Sequence, residues 1–300
     1  MRIVSLLPSA TEIAYALGLG DDVVGVTHEC DWPPQARGKR QVSRSTIPAD
    51  ATAAEIDDLV AASMTGGSPT YLLDEDAVRE LRPDVVLTQD LCAVCAVPAG
   101  QVEQALDRLG CAAQVVSLDP SSLDEMFDGI EVVGEVAGRQ AEADVLVVQL
   151  RERLAAVEAA VAGRARPRTF ALEWGDPPYN GGHWVPEMIA RAGGIPVLGA
   201  WGTPSVRVLW EDIAAADPEV VFFMPCGYDL DGAIAQAGPV LERAEVANAR
   251  LVVAVDSSGY FSRPGPRLVD GVEIVASVLH PDAAPAVPPG RVRVLRSHGG

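Results

Sequence analysis

No run of eighteen apolar residues occurs in this 300-residue chain, so no membrane-spanning helix is expected. An excess of positive charge is missing as well. Forty-two Asp and Glu against 23 Lys and Arg leave a formal net charge of −19 at pH 7, without the basic face that nucleic acid or an anionic lipid surface requires. Cysteine is sparse and odd in number, at 30, 92, 95, 111 and 226, which fits reduced thiols better than a disulfide framework. There is no short tandem repeat, no P-loop, no dinucleotide-binding glycine fingerprint and no G-x-S-x-G nucleophile turn. Gly18 and Gly20 end a helix, the wrong context for cradling a phosphate. A charged segment followed by an apolar core and a small-residue cleavage site is also missing at the start. As written, the chain is expected in the cytoplasm, and outside it if the start site is misassigned.

What is present is the composition of a folded globular chain, with 48% hydrophobic and 22% charged residues. Short β-branched strands alternate with helices on both sides of one long helical run, residues 140–163. In that run Leu146, Leu150, Leu154, Val157 and Val161 recur at steps of three and four, no Pro interrupts, and Gly163 supplies a stop. The pattern predicts an α/β protein: two α/β lobes with parallel-type sheets joined by one long backbone helix, and a ligand cleft between the lobes. The expected boundaries are 1–139 for the first lobe, 140–163 for the helix, 164–282 for the second lobe and 283–300 for a mobile or appended tail. One echo links the lobes, since RPDVVLT in the first and DPEVVFF in the second both follow a helix.

Ligands of open α/β sheets sit beyond the carboxyl ends of the strands. Seven of the fifteen aromatic residues fall in those segments: Trp32, Trp174, Tyr179, Trp184, Tyr228, Tyr260 and Phe261. Such a set would suit a large, flat, partly apolar ligand, or would serve as lids over the cores. His183, Asp176 and Asp256 also lie at strand ends, as cleft groups or as loop and turn caps. His28, Cys30, Cys92 and Cys95 follow strands of the first lobe and form a candidate tetrahedral site for zinc or iron. Small-residue packing and thiol chemistry are the alternatives for these cysteines. Cys111 reads as structural.

The opening RIVSLLPSATEIAYALGLGDDVVGVTHECDWPPQA, the RPDVVLT strand and the long helix between α/β lobes resemble the helical-backbone class of ABC-importer substrate-binding proteins. Within that class the chain most resembles the vitamin B12-binding branch. The resemblance spans roughly residues 1–282 and rests on the order SLLPSATE, CDWPP, PDVVL, the long helix, then the aromatic loop after the strand 168–173. It implies non-catalytic binding of cobalamin or a related corrinoid, by a carrier, a store or an importer-type binding protein with an ABC importer permease as partner. The ligand contacts that the resemblance implies are Trp32, Trp174, Tyr260 and Phe261; beside them the strand-end groups Cys92, Tyr179, His183, Trp184 and Tyr228 are candidates from the residue reading, with His28 or Cys30 meeting the cobalt. The family docks through one acidic residue per lobe, which falls on Asp76 (beside Glu75) and Glu211, counted back from Pro83 and Pro218. Two other readings stand beside it: a metal-binding or thiol-dependent enzyme using His28, Cys30, Cys92 and Cys95, and a haem or iron-siderophore binder on the same scaffold.

Overall fold

The computed structural model describes residues 1–48, 51–64, 70–90, 99–285 and 287–298. Up to the long helix the elements run β1 (Ile3–Ser5), α1 (Pro8–Ala16), β2 (Val23–Val26), β3 (Arg40–Gln41), β4 (Ser43–Ser45), α2 (Ala53–Met64), β5 (Tyr71–Leu73), α3 (Glu75–Leu81), β6 (Val85–Thr88), α4 (Ala99–Leu109), β7 (Gln114–Ser117), α5 (Leu123–Val136) and α6 (Gln140–Val161). There follow β8 (Arg168–Gly175), β9 (Pro178–Asn180), α7 (Val185–Arg191), β10 (Ile195–Pro196), α8 (Trp210–Ala216), β11 (Val220–Phe223), α9 (Leu230–Leu241), β12 (Leu251–Val255), α10 (Ser257–Tyr260), α11 (Leu268–Leu279) and β13 (Val292–Ser297). No helix among the described residues is long and apolar enough to cross a membrane.

The chain divides into two compact units, one of Met1–Pro120 and Phe127–Val147, the other of Ser121–Met126 and Val148–Gly300. The long helix is therefore shared between the units at Val147/Val148, where the sequence pattern had set it apart as a separate connector. The segment before α5 joins the second unit because the Leu123 amide donates to the buried carboxylate of Glu187 at 2.9 Å. Glu187 in turn accepts from Arg191 at 2.8 Å.

The first unit carries an all-parallel sheet in the order β3-β2-β1-β6-β7 and a small antiparallel pair, β4-β5. The second has the order β10-β8-β11-β12-β13, with β9 folded back on β8. The echo seen in the sequence is a topological one. β2-β1-β6-β7 and β10-β8-β11-β12 are parallel runs in which each unit's opening strand sits beside the strand after the helix–Pro turn. Both of those strands, β6 and β11, are buried along their whole length. Buried on both faces, a central parallel strand reads as the continuous apolar run VVLT or VVFF. Each is preceded by a helix that ends on a left-handed residue, Arg82 at φ 43° and Asp217 at φ 45°, after which proline blocks further helix.

The cores follow from that register. In the first unit Val4 and Val86 pack with Ala77, Val78, Val102 and Leu106 of the flanking helices. In the second, Phe170, Leu172, Val221, Phe223 and Val252 pack against Ile213, Ala237 and Val240. On α6 the buried stripe is Ala143, Val147, Leu150, Leu154, Val157 and Val161. Leu146 is only half-buried, so the apolar repeat opens on Ala143 and Val147 rather than on Leu146. In the second unit Arg153 of α6 binds Glu273 of α11 through two hydrogen bonds, 2.9 and 2.7 Å, and also reaches Asp270.

The tail, expected to be mobile or appended, carries a strand. β13 pairs antiparallel with β12, Leu251 opposite Ser297 and Val255 opposite Val292. Its alternation of valine with arginine is that of an edge strand with one face to solvent, which local composition alone does not separate from a loop.

Candidate functional site

In the first unit, β1 and β2 deliver two different kinds of group to their carboxyl ends. Behind β1, the Thr11 hydroxyl of α1 donates to Ser5 Oγ at 2.9 Å and lies 3.0 Å from Cys30 Sγ. Cys30 is only 3% exposed, its thiol lying in the interior beside the Thr11 hydroxyl of α1. Beyond β2, the Glu29 amide donates to Thr27 Oγ1 at 2.9 Å and turns the chain. That turn sets His28 with its ring 5.5 Å from Tyr71. Tyr71 Oη donates to Glu29 Oε1 at 3.0 Å, and His28 Nδ1 is buried without a hydrogen-bond partner among the described residues. Trp32, on the same segment, stands 44% exposed.

Tyr71 escaped the sequence reading, because only the pairing of β5 with β4 brings it to His28. Cys92 and Cys95 lie outside the described residues. Among the described residues no group of three or more His, Cys, Asp or Glu is placed to hold a metal ion. Cys111 is half-buried, its Sγ 3.9 Å from the Pro83 carbonyl.

In the second unit β8 runs on through Trp174 to Gly175 before β9 returns antiparallel, so Trp174 is a strand residue with Tyr179 opposite it. Its ring lies 5.9 Å from that of Tyr228, which follows β11, and its Nε1 is buried without a hydrogen-bond partner among the described residues. Neighbouring Glu173 fixes the local chain. Its carboxylate accepts from the Gly182 amide at 3.1 Å and its carbonyl from the Cys226 amide at 3.0 Å. Gly182 allows the next loop to close, since a Cβ there would stand 2.1 Å from the Ser205 amide nitrogen.

His183 holds φ 49°, donates its amide to Thr203 O at 2.6 Å and lies ring to ring with Trp184 at 5.5 Å. Burial pushes its imidazole below the usual value of 6.5, which favours the neutral ring. Asp256 is a cap and not a free carboxylate: its side chain accepts from the Gly259 amide at 2.9 Å and starts α10. Asp176 sits exposed in the turn between β8 and β9.

The aromatic set thus separates into two groups. Trp32, Trp174, Tyr179 and Tyr228 are exposed or half-buried at strand ends. Trp184, Tyr260 and Phe261 are buried, a correction to their expected place lining a cleft. The physical reason is that α10 packs closely against α11 and the residue that opens α7. Trp184 Nε1 donates to the Phe261 carbonyl at 2.7 Å, and Gly271 comes so close that a Cβ there would stand 2.3 Å from the Tyr260 carbonyl. Tyr260 lies under two guanidiniums, Arg267 at 5.5 Å and Arg291 at 4.8 Å.

A further aromatic, Trp201, was missed. It is 56% exposed on the loop after β10. Asn180 anchors that loop by accepting from the Val206 amide at 2.7 Å, while Ser205 Oγ donates to the Asn180 carbonyl at 2.6 Å. A tryptophan set between glycines, in GAWGTP, was the available signal.

The two acidic positions singled out for docking are both exposed, in the first turns of α3 and α8. Asp76 is paired with Arg79 on its own helix, whereas neighbouring Glu75 is tied to Arg108 of α4.

The model of the periplasmic binding protein family matches residues 3–248. A vitamin B12-binding protein of Vibrio cholerae is 25% identical over 282 residues, which cover 93% of this chain and 88% of that one. The crystal structure of the periplasmic vitamin B12-binding protein of that species aligns with a TM-score of 0.65 at 26% identity, over 93% of this chain and 96% of that one. An uncharacterized ABC transporter substrate-binding lipoprotein of Bacillus subtilis is 28% identical over 291 residues, 94% of this chain and 80% of its own. A periplasmic heme-binding protein from Pseudomonas aeruginosa shares the fold at a TM-score of 0.73 and 20% identity, over 100% of this chain and 99% of that one. With two parallel-sheet units of matching strand order and a family match over most of its length, the chain belongs to the periplasmic binding protein family.

Proposed function

We propose that this protein is a non-catalytic binding protein for cobalamin or a related corrinoid, working with an ABC importer permease. The observation that carries the reading is the Trp174–Tyr228 pair, two tilted rings at the carboxyl ends of neighbouring strands β8 and β11. Such rings offer apolar area to a flat macrocycle at low entropic cost, each having few torsions to fix. The vitamin B12-binding relatives support the same ligand class. Trp32 and His28 of the first unit, and Trp174, Tyr179, His183, Tyr228 and Trp201 of the second, are the proposed contacts. Asp76 and Glu211 are the proposed contacts to the permease.

A haem or iron chelate is the second reading. It is favoured by His28, whose Nδ1 has no hydrogen-bond partner among the described residues and whose ring lies 5.5 Å from that of Tyr71, because imidazole and phenolate both ligate haem iron. Structural neighbours that bind heme support it. The thiol-dependent enzyme reading has weaker support, with Cys30 buried and Cys92 and Cys95 outside the described residues.

The deciding experiment is an absorbance and calorimetric titration of the purified protein with cyanocobalamin, hydroxocobalamin and hemin. Saturable 1:1 binding of either cobalamin, tighter than that of hemin, is the expected result. A Soret shift with hemin and no heat with either cobalamin would replace the corrinoid with haem.

A further inference from the structure

At the amino-terminal end of the second unit's sheet, away from the strand ends that carry the aromatics, lies a cavity of about 440 Å³. Its walls include Arg164 and Arg166 from the connection into β8, Glu219 just before β11, Arg250 just before β12, and His280 and Asp282 after α11. The three guanidiniums differ in how they are engaged. Arg166 donates to the Gly194 carbonyl at 2.7 Å, which closes the end of the α7 segment. The side chains of Arg164 and Arg250 make no hydrogen bond or ion pair with any described residue.

Of the two carboxylates, Glu219 is already held, accepting from the Arg168 amide at 3.0 Å with the Arg168 guanidinium 3.5 Å away. Asp282 is exposed. The floor is fixed by His280, which is buried with Nε2 3.2 Å from the Gly193 carbonyl, while its own carbonyl accepts from the Ala283 and Ala284 amides at 3.0 Å each. Gly193 is required there, since at φ 84° a Cβ would stand 2.5 Å from His280 Nε2.

Helix C-termini attract arginine, and Arg166 meets that need directly. Arg164 follows the C-terminus of α6, its own amide donating to the Val161 carbonyl at 3.2 Å, whereas Arg250 directly precedes β12, and neither guanidinium is neutralised by a described residue in a chain of net charge −19. Concave walls focus such charge, and guanidinium forks match the oxygens of a phosphate. The cavity lies within the range of roughly 300–1,000 Å³ of small-molecule sites, larger than inorganic phosphate fills. We propose that this cavity binds a small phosphate monoester through Arg164 and Arg250, at a site separate from the proposed corrinoid contacts.

The test is calorimetric titration of the full chain with glycerol phosphate and with inorganic phosphate, ionic strength held constant with chloride, on the wild type and on Arg164→Ser/Arg250→Ser. Expected are saturable 1:1 heats with glycerol phosphate and a loss of at least about tenfold in affinity in the variant, both side chains being exposed and outside the core. Cobalamin titration of the same variant is expected to be unchanged, which separates this site from the corrinoid reading. Equal binding by wild type and variant, or heats no larger than those of the chloride control, would overturn the proposal. Inorganic phosphate binding as tightly as the ester would overturn the assignment to a monoester.

Discussion

Trp174 and Tyr228 meet with ring centroids 5.9 Å apart and planes inclined at 44°, one residue from the end of β8 and the other just beyond β11. Because β8 and β11 are hydrogen-bonded neighbours from Thr169–Val220 to Leu172–Phe223, their register brings the two segments together, and the turn in which the Tyr228 amide donates to the Pro225 carbonyl at 3.2 Å sets the tyrosine. Trp174→Ala is therefore expected to weaken cobalamin binding by at least about tenfold, while leaving the fold intact because the ring is only half-buried. Calorimetry on the variant measures this, and an affinity within about twofold of wild type would remove the stacking role.

Thiol reactivity distinguishes the cysteines by burial. Cys226 is exposed and should be labelled by a maleimide in the native protein, whereas Cys30 is buried against Thr11 and should be labelled only in denaturant. Peptide mapping after labelling reads both positions. Cys30→Ala is expected to cost about 1 kcal/mol of stability without altering cobalamin affinity. A loss of affinity at equal stability would return Cys30 to the ligand site.

Arg82 occupies the left-handed region at φ 43°, where only glycine is free of Cβ strain. Arg82→Gly should raise stability by about 0.5–1 kcal/mol, after the entropy that glycine adds to the unfolded chain. Chemical denaturation gives the sign directly. Asp217→Gly should gain less, since Asp217 also pairs with Arg168 at 2.8 Å.

The imidazole of His183 titrates below its ordinary value because burial disfavours the charged ring. As pH falls through about 6.5, the unfolded chain takes up a proton that the folded chain resists, so stability declines below that pH and is regained above it. His183→Asn keeps a residue that tolerates the left-handed backbone and removes the titration. The variant should show a flatter pH–stability curve between about pH 7 and 5. An unchanged slope would mean that another group sets the acid limb.

Ending the chain after residue 290 removes β13 and leaves the β12 edge unpaired. It also removes Arg296, which donates to the Val246 and Leu241 carbonyls. A stability loss of at least about 2 kcal/mol and a tendency to self-associate are expected, read by denaturation and light scattering. A truncated chain as stable and monodisperse as the full one would make the strand an accessory.

Local sequence was sufficient wherever one element's own pattern decides its state. The buried strands VVLT and VVFF, the helix–Pro turns before them and the uninterrupted run of α6 follow from apolar continuity, the missing proline N–H and helical spacing, and together they yield two α/β units. The same pattern put the aromatic segments at the carboxyl ends of the strands, since the direction of a parallel strand fixes which end its loop leaves.

Tertiary structure decided what depends on partners distant in sequence. Strand pairing brought Tyr71 to His28 across 43 residues and made an edge strand of an arginine-rich tail. Close backbone approach at Gly271 drew Tyr260 and Phe261 into the interior, although in sequence they follow a strand just as Tyr228 does. A side chain's exposure is a property of everything packed around it, and only the folded neighbours supply that.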